Sequence, residues 1–163
     1  MEIVSFKPGS CFKDLVDKTF QKQRQRLLTQ LPLAEVHHIG STAIPDSITK
    51  GDLDVNVRVT QQEFAKAVEL LKAMYEISQP NNWTADFASF KDNRVGMDFG
   101  VQLTAIGSPE DRFLVQRDIL LSHPELVERL NMLKMTYEGK SMDEYRKAKA
   151  DFFAKIDADT RLK

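Results

Sequence analysis

Asp52 and Asp54 stand two residues apart in the run Gly51-Asp52-Leu53-Asp54-Val55. In a strand, residues two apart point to the same face, so these carboxylates are expected side by side. Like charges held that close repel one another unless a cation sits between them. Mg²⁺ (or Mn²⁺) suits such a pair, because it takes a few carboxylates and fills its remaining positions with phosphate oxygens and water. Upstream, His37-His38-Ile39-Gly40-Ser41-Thr42 passes through a Gly-Ser turn. A turn of this kind can offer backbone N–H groups to a phosphate. Gly40 and Ser41 would hold that phosphate, with Thr42 assisting. Read together, these residues suggest a site for a metal–nucleotide complex, with Asp52 and Asp54 as the metal ligands.

The surrounding pattern supplies elements to position them. Phe12, Leu15, Val16, Phe20, Leu27, Leu28 and Leu31 recur at helical spacing, and Pro32 ends that helix. Glu35 to Ile39 reads as a short strand entering the Gly40-Ser41 turn. The stretch 43–50 reads as a short helix or loop. Leu53, Val55, Val57 and Val59 alternate with Asp54, Asn56 and Arg58, the clearest strand in the chain. The stretch 61–74 reads as an amphipathic helix, with Thr60 as N-cap and Glu63 completing a capping box. Tyr75 to Ile77 can start another strand. The stretches 88–91 and 95–106 read as an antiparallel pair around Asp92-Asn93. Its second strand places Asp98, Gly100, Gln102 and Thr104 on one face. Ser108-Pro109 is expected to open a helix through Phe113 and Leu120. Pro124 opens another, carrying Leu126, Leu130, Leu133 and Met135. Ser141 caps a last one with Tyr145, Ala148, Lys149, Phe152, Phe153 and Ile156 as its stripe. The expectation is an α+β (α/β-like) fold: a small mixed sheet flanked by helices in 1–106, with a helical C-terminal part in 107–163.

Length and composition set limits on function. A chain of 163 residues fits one domain, and 42% hydrophobic residues suffice for a core. The formal net charge of −1 disfavours long nucleic acid as a partner. One cysteine, Cys11, excludes an internal disulfide and a cysteine zinc cluster; it is expected to be a buried small hydrophobe. The N-terminus lacks a basic region followed by an apolar run, and no stretch is long enough to span a bilayer. The expected location is cytoplasmic, with no membrane partner.

A Gly-Ser turn followed about a dozen residues later by hydrophobic-Asp-hydrophobic resembles the nucleotidyltransferase (DNA polymerase β-like) signature. Within that superfamily the chain is similar to the GrpB family. The residues that carry the likeness are His38 through Pro45, Lys50 through Val55, Gly107 through Glu110, Phe113 through Asp118, and His123 through Leu126. Tyr145, Ala148-Lys149 and Phe152-Phe153 resemble the family's ending. The family more often has Pro-Ile-Ile-Asp where this chain has Gly51-Asp52-Leu53-Asp54, so both acidic positions are filled here. Family members often carry a His-X-His strand where this chain has Gln102-Leu103-Thr104.

The resemblance implies two-metal nucleotidyl transfer, in which carboxylates hold ions that bridge phosphate and attacking oxygen. Asp52 and Asp54 would be catalytic and metal-binding. A third carboxylate is expected on a neighbouring strand, as base or ligand. Asp98 is the first candidate, Asp86 the rival, and a missing third acid the remaining alternative. Lys50 would neutralise phosphate charge or sit in an exposed loop. Arg117 would reach a phosphate or pair with Asp118. Lys149, in an otherwise apolar stripe, needs a carboxylate or phosphate partner. His38 reads as structural, and Trp83 as a loop aromatic covering the core. The implied function is transfer of a nucleoside monophosphate from a nucleoside triphosphate to an unknown acceptor. The alternative is a nucleotide-binding or regulatory module with little turnover; phosphoester hydrolysis would use similar residues.

Overall fold

A computed structural model of the protein describes residues 1–162. Its strands are β1 (Lys7–Pro8), β2 (Glu35–Ile39), β3 (Ile48–Thr49), β4 (Leu53–Val59), β5 (Glu76–Ile77), β6 (Phe87–Lys91) and β7 (Phe99–Ala105). Its helices are α1 (Lys13–Gln30), α2 (Gln61–Met74), α3 (Phe113–Ser122), α4 (Pro124–Tyr137) and α5 (Met142–Ala158). Five strands form one sheet in the order β2-β4-β7-β6-β5, and β1 pairs with β3 in a small second sheet. Within the large sheet β4 and β7 run parallel, while the other neighbours are antiparallel. The expected α+β arrangement is therefore present: a small mixed sheet flanked by helices, with a helical C-terminal part.

The alternation in β4 decides the layers. Leu53, Val55, Val57 and Val59 are buried on one face, where they meet Val16 and Leu27 of α1 and Phe64, Ala67 and Leu71 of α2. Val101 and Leu103 of the parallel partner β7 join the same core. The opposite parity carries Asp54, Asn56 and Arg58, so the sheet's second face is polar. The C-terminal helices lie over the start of that face with a core of their own, made by Ile119, Leu120, Leu126, Val127, Leu130 and Ile156. Ile44, from the segment after the Gly40-Ser41 turn, is buried in that second core.

Several local expectations need correction. The segment from Val95 to Asp98 is not strand. Asp92 accepts from the Arg94 N–H (2.9 Å), which tightens a 3₁₀ turn over Asn93–Val95, and Gly96 follows with φ 96°. Only Phe99 onward joins the ladder. The helix foreseen at Ser108-Pro109 starts at Phe113, because Asp111 is held in a turn. Its carboxylate accepts from Arg58 (2.8 Å at both oxygens) and from the Gly107 N–H (2.9 Å). Met135 is 59% exposed, and Lys134 takes the buried place on that face of α4. Cys11 is exposed rather than buried. Trp83 packs against Phe90 and donates to the Ser78 carbonyl (3.0 Å), so it covers the core. Among the described residues no helix is long and apolar enough to cross a membrane.

Leu103 is fully buried in β7, so Leu103→Ala should cost about 2–5 kcal/mol. Met135→Gln, on the exposed side of α4, should stay within about 0.5 kcal/mol. Urea unfolding of the two variants checks which face of each element is the core.

Candidate functional site

A cleft of about 710 Å³ opens between the polar face of the sheet and the C-terminal helices, a size that suits a small-molecule ligand. Asp52 and Asp54 both line it, together with Gly40, Ser41, Arg117 and Lys149. Six of the residues singled out from the sequence thus share one cavity. Asp52 lies just before β4 and Asp54 is its second residue, so the i, i+2 spacing delivers both carboxylates to the same side.

Asp54 is locked in place by its cross-strand neighbours. It pairs with Ile39 on β2 and with Gly100 on β7. A Cβ on Gly100 would lie 2.7 Å from Asp54 Oδ1, and a Cβ on Gly40 would lie 2.8 Å from Oδ2. Two glycines therefore flank the carboxylate, and no other residue leaves room for it. Gly40 has φ 77°, a left-handed conformation that a side chain would also strain. Burial pushes the Asp54 carboxyl up to about 7, the Asp52 charge adds to the rise, and Lys149, Lys50 and a Gln102 hydrogen bond oppose it. Lys50 sits 3.6 Å from Asp52 Oδ2; among the described residues Asp54 has no cation in direct contact. A half-buried carboxylate with no ion-pair partner, beside a second one, is the donor set that a hard divalent cation relieves. Asp52 and Asp54 fit such an ion, with oxygen donors from elsewhere completing its coordination.

The third carboxylate is not where it was expected. Asp98 is exposed, lies outside the strand and does not line the cleft. Its backbone carbonyl accepts from the Leu53 N–H (2.9 Å), and the turn through Gly96 delays the start of β7 to Phe99. Asp86 precedes β6 at the opposite end of the ladder, where its carbonyl accepts from Ala105 N–H. Among the described residues no three acidic, histidine or cysteine side chains gather around a metal position. On the strand beside the acidic pair, Gln102 faces the cleft instead. It shares the parity of Gly100, lowers the Asp54 pKa from the neighbouring strand, and keeps its Oε1 buried without a partner.

Two groups brace the Gly40-Ser41 turn from behind. His38 stacks on Phe20 with centroids 5.2 Å apart, and its Nε2 lies 2.9 Å from Thr42 Oγ1. Thr42 in turn donates to the Asp52 carbonyl (3.1 Å), so the oxygen accepts from His38. Burial pushes His38 down to about 4, which keeps it neutral. Thr42 and Lys50 do not line the cleft; Thr42 positions Asp52, and Lys50 counters its charge. Arg117 lines the cleft but is engaged with Asp118 (3.0 and 2.9 Å) and the His38 carbonyl (3.2 Å).

The second brace escaped the sequence reading. Lys134 of α4 has no exposed surface. Its Nζ donates to Ser41 Oγ (2.6 Å), Ser47 Oγ (3.2 Å) and the Ile48 carbonyl (2.6 Å). Burial pushes its pKa down to about 7, Lys149 and Lys50 push the same way, and Asp52 opposes them. The signal was present: Lys134 follows Leu126 and Leu130 at four-residue steps, so it belongs to the stripe that faces inward.

Comparison with known proteins places this geometry in a family. The profile described as GrpB protein matches residues 12–159. A UPF0157 protein of Vibrio cholerae, VC_A0354, is 34% identical over 140 residues, covering 86% of this chain and 74% of that protein. The UPF0157 protein YqkA of Bacillus subtilis is 26% identical over 147 residues, 88% of this chain and 41% of that protein. The crystal structure of the conserved protein GrpB from Enterococcus faecalis superposes with a TM-score of 0.72 at 19% identity, covering 91% of this chain and 93% of that one.

Asp54 binds its proton more tightly folded than unfolded, so its ionisation costs stability as pH rises from about 4 to about 7. Asp54→Asn removes that cost. It should gain about 1 kcal/mol or more at pH 8, about 2–4 °C in Tm, with the gain fading towards pH 4. Added Mg²⁺ should raise the Tm of the natural protein and leave Asp54→Asn unmoved. Gly100→Ala should fold yet lose that response to Mg²⁺, because its Cβ displaces the carboxylate. Thermal melts across pH and Mg²⁺ concentration check all three.

Proposed function

The chain belongs to the GrpB family, and we propose that it is a metal-dependent nucleotidyltransferase acting on a nucleoside triphosphate. The observation that carries this reading is the Asp54 carboxylate, set between Gly40 and Gly100 in the cleft that Asp52, Ser41 and Lys149 also line. Asp52 and Asp54 would hold Mg²⁺ (or Mn²⁺). When bound, that ion supplies charge neutralisation at the phosphates and orients the triphosphate.

The remaining work falls to the chain's own groups. The Gly40-Ser41 turn presents its N–H groups and the Ser41 hydroxyl to the β- and γ-phosphates. Lys149 is half-buried in the cleft wall, and among the described residues no carboxylate forms an ion pair with it. It is free to meet the charge that builds on departing pyrophosphate. Thr42 and His38 keep Asp52 in register. Catalysis in this arrangement is mostly positioning and electrostatic stabilisation. The acceptor's hydroxyl oxygen would attack the α-phosphorus, its proton would pass to water, pyrophosphate would leave, and the nucleoside monophosphate would pass to the acceptor.

One observation favours a second reading, a nucleotide-binding module with little turnover. Gln102 stands beside the acidic pair where an acid would serve as base, and an amide cannot accept a proton from an acceptor hydroxyl. Both readings share the triphosphate and differ in the product.

Incubation with α-labelled nucleoside triphosphates and Mg²⁺ or Mn²⁺ separates them. Transferred label with released pyrophosphate supports the transferase; calorimetric binding without product supports the module. Asp52→Asn and Asp54→Asn should each lower metal-dependent triphosphate affinity or turnover at least about tenfold, since each removes a charged ligand contact. Unchanged affinity in both variants would sink both readings.

A further inference from the structure

We infer that Lys134, a residue that does not reach the cleft, makes Ser41 a dedicated hydrogen-bond donor and gives the Gly40-Ser41 turn its affinity for a polyphosphate tail. Lys134 is enclosed on α4, and its three bonds go to Ser41 Oγ, Ser47 Oγ and the Ile48 carbonyl. An ammonium has three hydrogens and no acceptor, so this set exhausts it. Ser47 Oγ also donates to the Ile48 carbonyl (3.1 Å), which leaves it only to accept from Lys134. Ser41 Oγ likewise accepts from Lys134, so its own hydrogen must point elsewhere. Ser41 lines the cleft and Lys134 does not, so the free direction is the cavity.

The charge leads to the same ligand. Among the described residues Lys134 has no carboxylate in an ion pair; its partners are two hydroxyls and a carbonyl. Burying an ammonium without a counter-charge is unfavourable. Lys149 and Lys50 press on it with the same sign, and Asp52 is the one acid felt from the site. An anion on the turn supplies the missing negative charge and favours the protonated lysine. All three bonds are then donated while the cleft is filled. Asn131, three residues earlier on α4, fixes the same loop by accepting from the Ile48 N–H (3.0 Å) and donating to the Asp46 carbonyl (2.8 Å). The loop thus has a neutral anchor besides Lys134, so holding the loop does not by itself call for a charged group. The ligand class is polyphosphate, whatever base or acceptor it carries. That the polyphosphate belongs to a nucleotide rests on the reading above.

Calorimetry with Mg²⁺–tripolyphosphate and with the common Mg²⁺–ribonucleoside triphosphates tests this on the natural protein, Lys134→Met, Ser41→Ala and the double variant. Each single change should weaken tripolyphosphate binding by about 10- to 100-fold, the range for a hydrogen bond to a charged group. The double variant should be little weaker than the worse single one, because both remove one unit. A purely structural lysine would give additive losses, which overturns the inference, as does Lys134→Met binding like the natural protein. Tripolyphosphate binding that needs Lys134, without any nucleotide binding, keeps the inference and removes the nucleotide reading. Nucleotide binding indifferent to Lys134 does the reverse, and binding of neither ligand removes both. Should Lys134→Met not fold, ¹⁵N-lysine NMR serves instead. The Lys134 Nζ resonance should shift with tripolyphosphate in the natural protein and stay still in Ser41→Ala; equal shifts in both would overturn the inference.

Discussion

The Asp54 carboxyl is held where electrostatics disfavours it. Its strand passes between β2 and β7, so it cannot swing out, and Gly40 and Gly100 admit its oxygens at distances a side chain would block. Asp52 follows it to the same cleft by strand parity. A carboxylate that is half-buried, crowded by another and free of direct cation contact is destabilised in a way that a bound cation can relieve. The apolar face of β4, packed on α1 and α2, anchors the strand that carries that carboxylate.

Lys134 mirrors this on the other side of the turn. A half-buried acid and a fully buried base lie within reach of the same glycine–serine bend, yet they are not paired with each other. Direct pairing would satisfy both and leave nothing to recruit a ligand. Instead the acid faces the cleft for a cation, and the base stands behind the bend for an anion. A metal–polyphosphate complex carries both charges in that order. Proteins keep such locally unfavourable groups chiefly where function needs them.

The helical part is what makes a cleft of an open sheet face. Its core includes Ile44 from the segment after the turn, so sheet and helices share that loop. The N-terminal segment ties the far end: Val4 N–H donates to the Lys140 carbonyl (3.0 Å) and the Val4 carbonyl accepts from Gly139 N–H (2.9 Å). With Met142 and Tyr145 packed on Val4, α5 is fixed at its start, and Lys149 is carried on that same helix to the cavity wall. The wall is therefore no loose lid but an extension of the core.

Patterns that depend on near neighbours were legible in the chain alone. The Leu53–Val59 alternation and the bounds of β2 and α2 follow from spacing of two or of about 3.6 residues and are found as read, and the spacing of Asp52 and Asp54 puts both on the cleft. Lys149 was legible too, as a charge in an apolar stripe. Whatever depended on partners far along the chain was not. Asp98 keeps the strand's parity in the sequence, but a left-handed Gly96 and the Asp92 cap make that strand start one residue too late for it. Ser108 looks like a cap until Arg58, from another strand, claims Asp111. Lys134 falls on the inward stripe of α4, but its partners at Ser41, Ser47 and Ile48 lie more than eighty residues away in the chain. Which residues share a face can be read from the chain alone, because that is local geometry. Which charges meet emerges on folding, because charge interactions are set by burial and distance between segments that the chain order keeps apart.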